Sequence, residues 1–193
     1  MSHSPIYLIG YGVRTLDALV ETLHARDIAY LIDVRTRPYS RFKPEFSKDA
    51  LDAALKQQGI RYVFMGDSLG GMPDDPACYE NGKVSYEWVR EKKFFLAGID
   101  RLRRAWEQGL PVVLMCSEGK PEMCHRSKLI APALLALGIN VLHIDETDQL
   151  ISQAQVMDRI TGGQPSLFGD EFLDLKSRKR YAISAEEENE EEG

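Results

Sequence analysis

Short apolar runs alternate with amphipathic stretches along this chain, and that alternation restricts its fold more than any other feature. "IYLIGYG" (6–12), "AYLIDV" (29–34), "IRYVFM" (60–65), "LPVVLMC" (110–116) and "INVLHI" (139–144) each read as a buried strand. Helical patterns lie between them. "TLDALVETLHARD" places Leu16, Leu19, Val20 and Leu23 on one face, with Thr15 to cap its start. "SKDALDAALKQQG" is capped by Ser47 and stopped by Gly59, and Ser85 opens a long helix along which Trp88, Phe95, Ile99, Leu102 and Trp106 recur as a core stripe. "HRSKLIAPALLALG" and "DETDQLISQAQVMDRI" complete the series. The expectation is an α/β fold, a three-layer Rossmann-like sandwich around a mainly parallel five-stranded sheet.

At 193 residues, 44% of them hydrophobic, the chain suits one domain over residues 1–160, followed by an extension over 161–193. No apolar run approaches the roughly 20 residues that cross a bilayer, and the start lacks a charged leader. A soluble, cytoplasmic protein without a membrane partner is expected. Its three cysteines, Cys78, Cys116 and Cys124, are too few for a disulfide framework and are expected reduced. The formal charge of −6 resides in the six glutamates of "AISAEEENEEEG", so residues 1–181 are neutral overall. Such a tail cannot bury enough apolar surface to offset its ordering entropy.

Ligands of parallel sheets bind beyond the carboxyl ends of the strands. The loops at that edge, "GYGVRT", "DVRTRPYS", "MGDSLGG", "CSEGKPEMCHRS" and "HIDE", collect glycines, arginines, carboxylates and thiols, while the opposite connections are short and plain. Gly10, Tyr11, Gly70 and Gly71 would let backbone approach a ligand, and Arg14, Arg35 and Arg126, with Asp33 and Ser40 beside them, would anchor it. This chemistry points to a small anionic or nucleotide-like ligand. The alternative for Asp33 and the arginines is ion pairing at the strand ends.

"CSEGKPEMCHRS" admits three readings. As a metal site it lacks the tight Cys-x2-4-Cys pair of structural zinc, and the adjacent Cys124 and His125 would have difficulty reaching one centre, so neither metal nor cofactor is expected. As a reactive thiol, Cys116 ends a strand beside a helix start, with His125 as base and Glu118 as acid or orienting group. Arg126 lies ten residues after Cys116, which does not match a Cys-x5-Arg phosphate loop. The third reading packs Cys116 as a small hydrophobe and leaves Cys124, His125 and Arg126 to bind an anion at the helix start.

Taken together and in order, "GYGVRT", "DVRTRPYS", "LGG" and "CSEGKPEMCHRS" resemble the family catalogued as domain of unknown function 488, over about residues 5–150. The resemblance implies a shared pocket with no assigned reaction. Gly10, Tyr11 and Gly12 stand where the family more often has Gly-His-Ser, so no role passes to a histidine or serine there.

A separate signal follows the last helix. In "QPSLF", Gln164, Leu167 and Phe168 resemble the short motif with which bacterial DNA polymerases and repair proteins bind the sliding clamp, with Pro165 in place of the commoner leucine. The alternatives are a clamp tether or a Leu-Phe staple onto the core. Beyond it, "LKSRKRY" is basic enough to touch phosphate, but no recognition motif for nucleic acid accompanies it.

Overall fold

Alternate residues of an extended chain point to opposite faces, and burial in this protein follows that period of two. In the computed structural model, which describes residues 4–163 and 176–181, Ile6, Leu8, Ile32, Val34, Val112, Leu114 and Cys116 face one apolar layer. Ile9, Leu31, Val113, Met115 and Ile144 face the other.

In chain order the elements are β1 (Ile6–Gly10), α1 (Leu16–His24), β2 (Tyr30–Asp33), α2 (Lys48–Gln57), β3 (Arg61–Phe64) and the single turn α3 (Gly66–Leu69). A hairpin of β4 (Tyr79–Glu80) and β5 (Lys83–Val84) follows, then α4 (Tyr86–Arg90), α5 (Lys93–Glu107) and β6 (Val112–Cys116). The chain continues through α6 (Ala131–Ala136), β7 (Val141–Ile144), β8 (Leu150–Ser152) and α7 (Gln153–Thr161). The main sheet runs β3-β2-β6-β1-β7-β8 and is parallel except for β8.

Leu19 and Leu23 of α1 and Leu51 and Leu55 of α2 cover one face. Phe95, Ile99 and Leu102 of α5 and Leu134 of α6 cover the other. The three-layer α/β sandwich expected from the alternation is therefore the fold. Because β6 sits between β2 and β1 while its outgoing chain covers the opposite face from theirs, a crevice opens at its carboxyl end.

The sheet has six strands rather than five. Helical spacing in "DETDQLISQAQVMDRI" conceals a sharp turn, in which Asp145 Oδ1 accepts from the Thr147 and Gln149 amides and Asp148 takes a left-handed φ of 62°. The chain reverses there, β8 pairs antiparallel with β7, and α7 begins only at a Ser152/Gln155 capping box. The long helix expected after Ser85 is also broken, since extended backbone at Lys92 separates α4 from α5. Trp88 falls outside the core stripe, 38% exposed. The expected helix after Cys124 opens with a π-helical segment, Arg126–Ile130. Among the described residues no helix is long and apolar enough to cross a membrane.

Candidate functional site at the carboxyl edge

Strand β6 carries Cys116 to the crevice, and pairing continues past the strand ends: Tyr11 N donates to Cys116 O and Gly12 N to Ser117 O, each at 3.0 Å. The contact requires Gly10, where a β-carbon would sit 1.7 Å from the Glu118 carbonyl oxygen. Arg126 holds the same loop from the other side. Fully buried, it donates to the carbonyls of Glu118 (2.6 Å) and Gly119 (3.1 Å).

A 3-10 turn, Pro121–Met123, then brings the chain back to Cys124, fastened by Ser127 Oγ, which donates to the Pro121 and Cys124 carbonyls. Cys124 is extended while His125 has helical backbone, and this bend turns the two neighbouring side chains toward the same point. His125 Nδ1 lies 3.7 Å from Cys124 Sγ and 3.8 Å from Cys116 Sγ. The expected difficulty for adjacent Cys124 and His125 in reaching one centre is thus overcome by the backbone bend. Only a protonated Nε2 can donate to the Val34 carbonyl 3.1 Å away, so a neutral His125 ring presents the Nδ1 lone pair to the two sulfurs. The ring has no room to swing, because a β-carbon on Gly71 would meet its Cγ at 2.8 Å.

The two buried thiols are unequal. The neighbouring Cys124 sulfur, and then burial, push the Cys116 thiol up to about 12. Burial works against ionisation of Cys124, but the neighbouring Cys116 and Arg126 outweigh it and bring Cys124 down to about 6. Cys124 is the more readily ionised of the two sulfurs.

Above the cluster lies a cavity of about 490 Å³. Tyr11, Arg35, Gly71, Cys116, Glu118, Cys124 and His125, all expected at the site, line it. Gly10, Arg14, Asp33, Ser40, Gly70 and Arg126 do not. Arg14 instead staples β1 to the β7–β8 turn, bonding the Gly10 and Asp145 carbonyls and Asp148. Asp33 is wholly buried, with Arg35 bidentate upon it and Tyr62 Oη donating at 2.7 Å. Ser40 caps a local turn by accepting from Lys43 N, and a β-carbon on Gly70 would strike the Gly66 carbonyl.

Several cavity residues escaped sequence reasoning, among them Thr36, Tyr39, Met72 and Tyr86. The largest omission is a strap from the extension. Ser177 N donates to Val84 O, Ser177 Oγ accepts from Val84 N, and Tyr181 N donates to Gly82 O, so residues 176–181 dock along the hairpin. Arg178, Lys179 and Tyr181 consequently reach the cavity wall. The basic run "KSRKR" was the available signal. Gln164, Leu167 and Phe168, with the acidic tail, lie outside the described residues.

Fold and site together define a class: a three-layer α/β protein whose carboxyl-edge pocket is floored by two thiols and an imidazole. Residues 15–132 match the family described as Domain of unknown function DUF488, and the chain belongs to that family. No curated protein and no solved structure matches it.

Proposed function

We propose that this protein is an enzyme that takes a small anionic, nucleotide-like substrate in the carboxyl-edge pocket, with Cys116, Cys124 and His125 on its floor and Glu118 on its wall as the chemical groups. The observation that carries the reading is the charge of the lining. Arg35, Arg37, Arg178 and Lys179 surround the cavity and Glu118 is the one carboxylate among its lining residues. A cleft walled by one sign of charge concentrates ligands of the other. Arg35 also keeps a buried Nη1 without a partner among the described residues, a donor that a bound anion would satisfy. Tyr39 and Tyr181 offer aromatic faces beside these cations, which suits a base or sugar. Three free, buried cysteines suit a reducing compartment, and the cytoplasm is the location that accompanies this reading.

The test is calorimetric titration with pyrophosphate and with ADP. Binding to the wild type, weakened about tenfold or more by Arg37→Ala with Arg178→Ala and further by salt, supports the reading. Absence of binding by both probes, or equal binding by the variant, overturns it. Turnover of bound ADP lost in a folded Cys124→Ser variant separates an enzyme from a binding module.

A further inference from the structure

We propose that Cys116 Sγ, Cys124 Sγ and His125 Nδ1 bind one zinc ion, whose fourth coordination position opens into the anion pocket. The three donor atoms lie within 4.8 Å of one another, and both sulfur–nitrogen separations, 3.7 and 3.8 Å, are close to those of a formed site. With Zn–S near 2.3 Å and Zn–N near 2.0–2.1 Å, tetrahedral geometry sets neighbouring sulfur and nitrogen ligands about 3.6 Å apart. The sulfur–nitrogen pairs need to close by only about a tenth or two of an ångström, while the two sulfurs, up to 4.8 Å apart, must close to about 3.8 Å, a side-chain adjustment of up to roughly 1 Å.

The contacts that would orient the imidazole toward a metal are already in place. A zinc-ligating histidine characteristically donates its other ring N–H to a carbonyl or carboxylate, which fixes the tautomer, and His125 Nε2 does so to Val34 O. Gly71 packs against the ring and holds its plane. Two thiolates and an imidazole are soft donors that select zinc over magnesium or calcium, whose ligands are oxygens.

Charge decides what occupies the open position. Two thiolates neutralise Zn²⁺, while fully buried Arg126 has no carboxylate ion-pair partner among the described residues. The surplus positive charge therefore favours an anion, either hydroxide or an oxygen of the bound ligand. Only this last step rests on the anion-pocket reading. The three protein ligands stand independently of it.

The experiment uses the full chain, reduced and freed of metal with a chelator, then titrated with Co²⁺ and Zn²⁺. The expected result is one cobalt per chain with a thiolate-to-cobalt charge-transfer band and tetrahedral d–d bands, both abolished by stoichiometric zinc. Cys124→Ser and His125→Ala each weaken zinc binding by about 100-fold or more, whereas Cys78→Ala, at a buried thiol elsewhere, preserves the spectrum. In the unmutated chain, which avoids any folding defect, zinc slows alkylation of Cys116 and Cys124 relative to the chelated protein and leaves Cys78 unaffected. A folded wild type that gives no charge-transfer band, or whose alkylation zinc does not change, overturns the proposal. If pyrophosphate still binds such a protein, the metal reading alone has failed. A cobalt spectrum without pyrophosphate or ADP binding removes the anion reading and leaves the metal.

Discussion

With no exposure to solvent, Asp33 accepts hydrogen bonds from Arg35 N, Nε and Nη2 and from Tyr62 Oη. Such a pair gains little over an apolar one but costs a great deal to break, since the surviving charge stays buried. Asp33→Asn should lower unfolding free energy by about 3–5 kcal/mol in urea titration, and adding Arg35→Met should recover part of that loss. A loss below about 1 kcal/mol would mean that Asp33 is not the structural partner of Arg35. At this scale the sequence located the cysteine stretch and several cavity walls. It could not say which arginines face the cavity. Arg14 and Arg126 have the same chemistry as Arg35, yet Arg126 donates to loop carbonyls and Arg14 to two carbonyls and the Asp148 carboxylate, a contact that spans 134 residues of sequence. Convergence of Cys116, Cys124 and His125 was hidden for a related reason. Spacing alone does not reveal a bend between extended Cys124 and helical His125.

Among the elements, those with clear periodicity and a plain apolar face were legible: β1, β2, β3, β6 and β7 with the helices α1 and α2. Those that depend on pairing with a distant segment were not. Strand β8 exists because a side-chain-braced turn returns it to β7, and the strap exists because Ser177 completes the hydrogen bonding of β5. Neither has a periodicity long enough to declare itself. The strap's dependence on one hydroxyl gives a sharp expectation. Ser177→Ala leaves the buried Val84 N–H without its acceptor, a cost of about 1–3 kcal/mol, felt locally because only Tyr181 of the strap packs against the core, and from its margin. Amide exchange should rise roughly tenfold or more across 176–181 and at Val84, and pyrophosphate affinity should fall as Arg178 and Lys179 leave the cavity wall. The urea midpoint should hardly move. Unchanged exchange with unchanged affinity would show that the strap is held by its other contacts.

Across the whole molecule, one buried histidine ties three elements of the fold together. His143 of β7 has no exposure, its Nε2 hydrogen-bonds Gln153 Oε1 at 2.7 Å, and Gln153 Nε2 in turn donates to the Ser127 carbonyl beside the cysteine cluster. Burial first, then the Arg126 charge, hold its imidazole down at about 4 against the opposing pull of Gln153. A histidine depressed from its ordinary value near 6.5 binds more protons in the unfolded chain than in the native one. Its contribution to stability is therefore complete above pH 6.5 and declines as pH falls through the interval down to about 4. Over that window the wild type should lose about 3 kcal/mol through this group. His143→Gln keeps a donor for Gln153 and cannot titrate, and the carboxylates titrate alike in both proteins. Urea midpoints measured at pH 7 and pH 4.5 should accordingly fall less in the variant, with the difference in unfolding free energy amounting to about 2–3 kcal/mol. Equal falls would show that His143 is protonated in the native state at pH 4.5, and that the chain from β7 through Gln153 to Ser127 accommodates a charge.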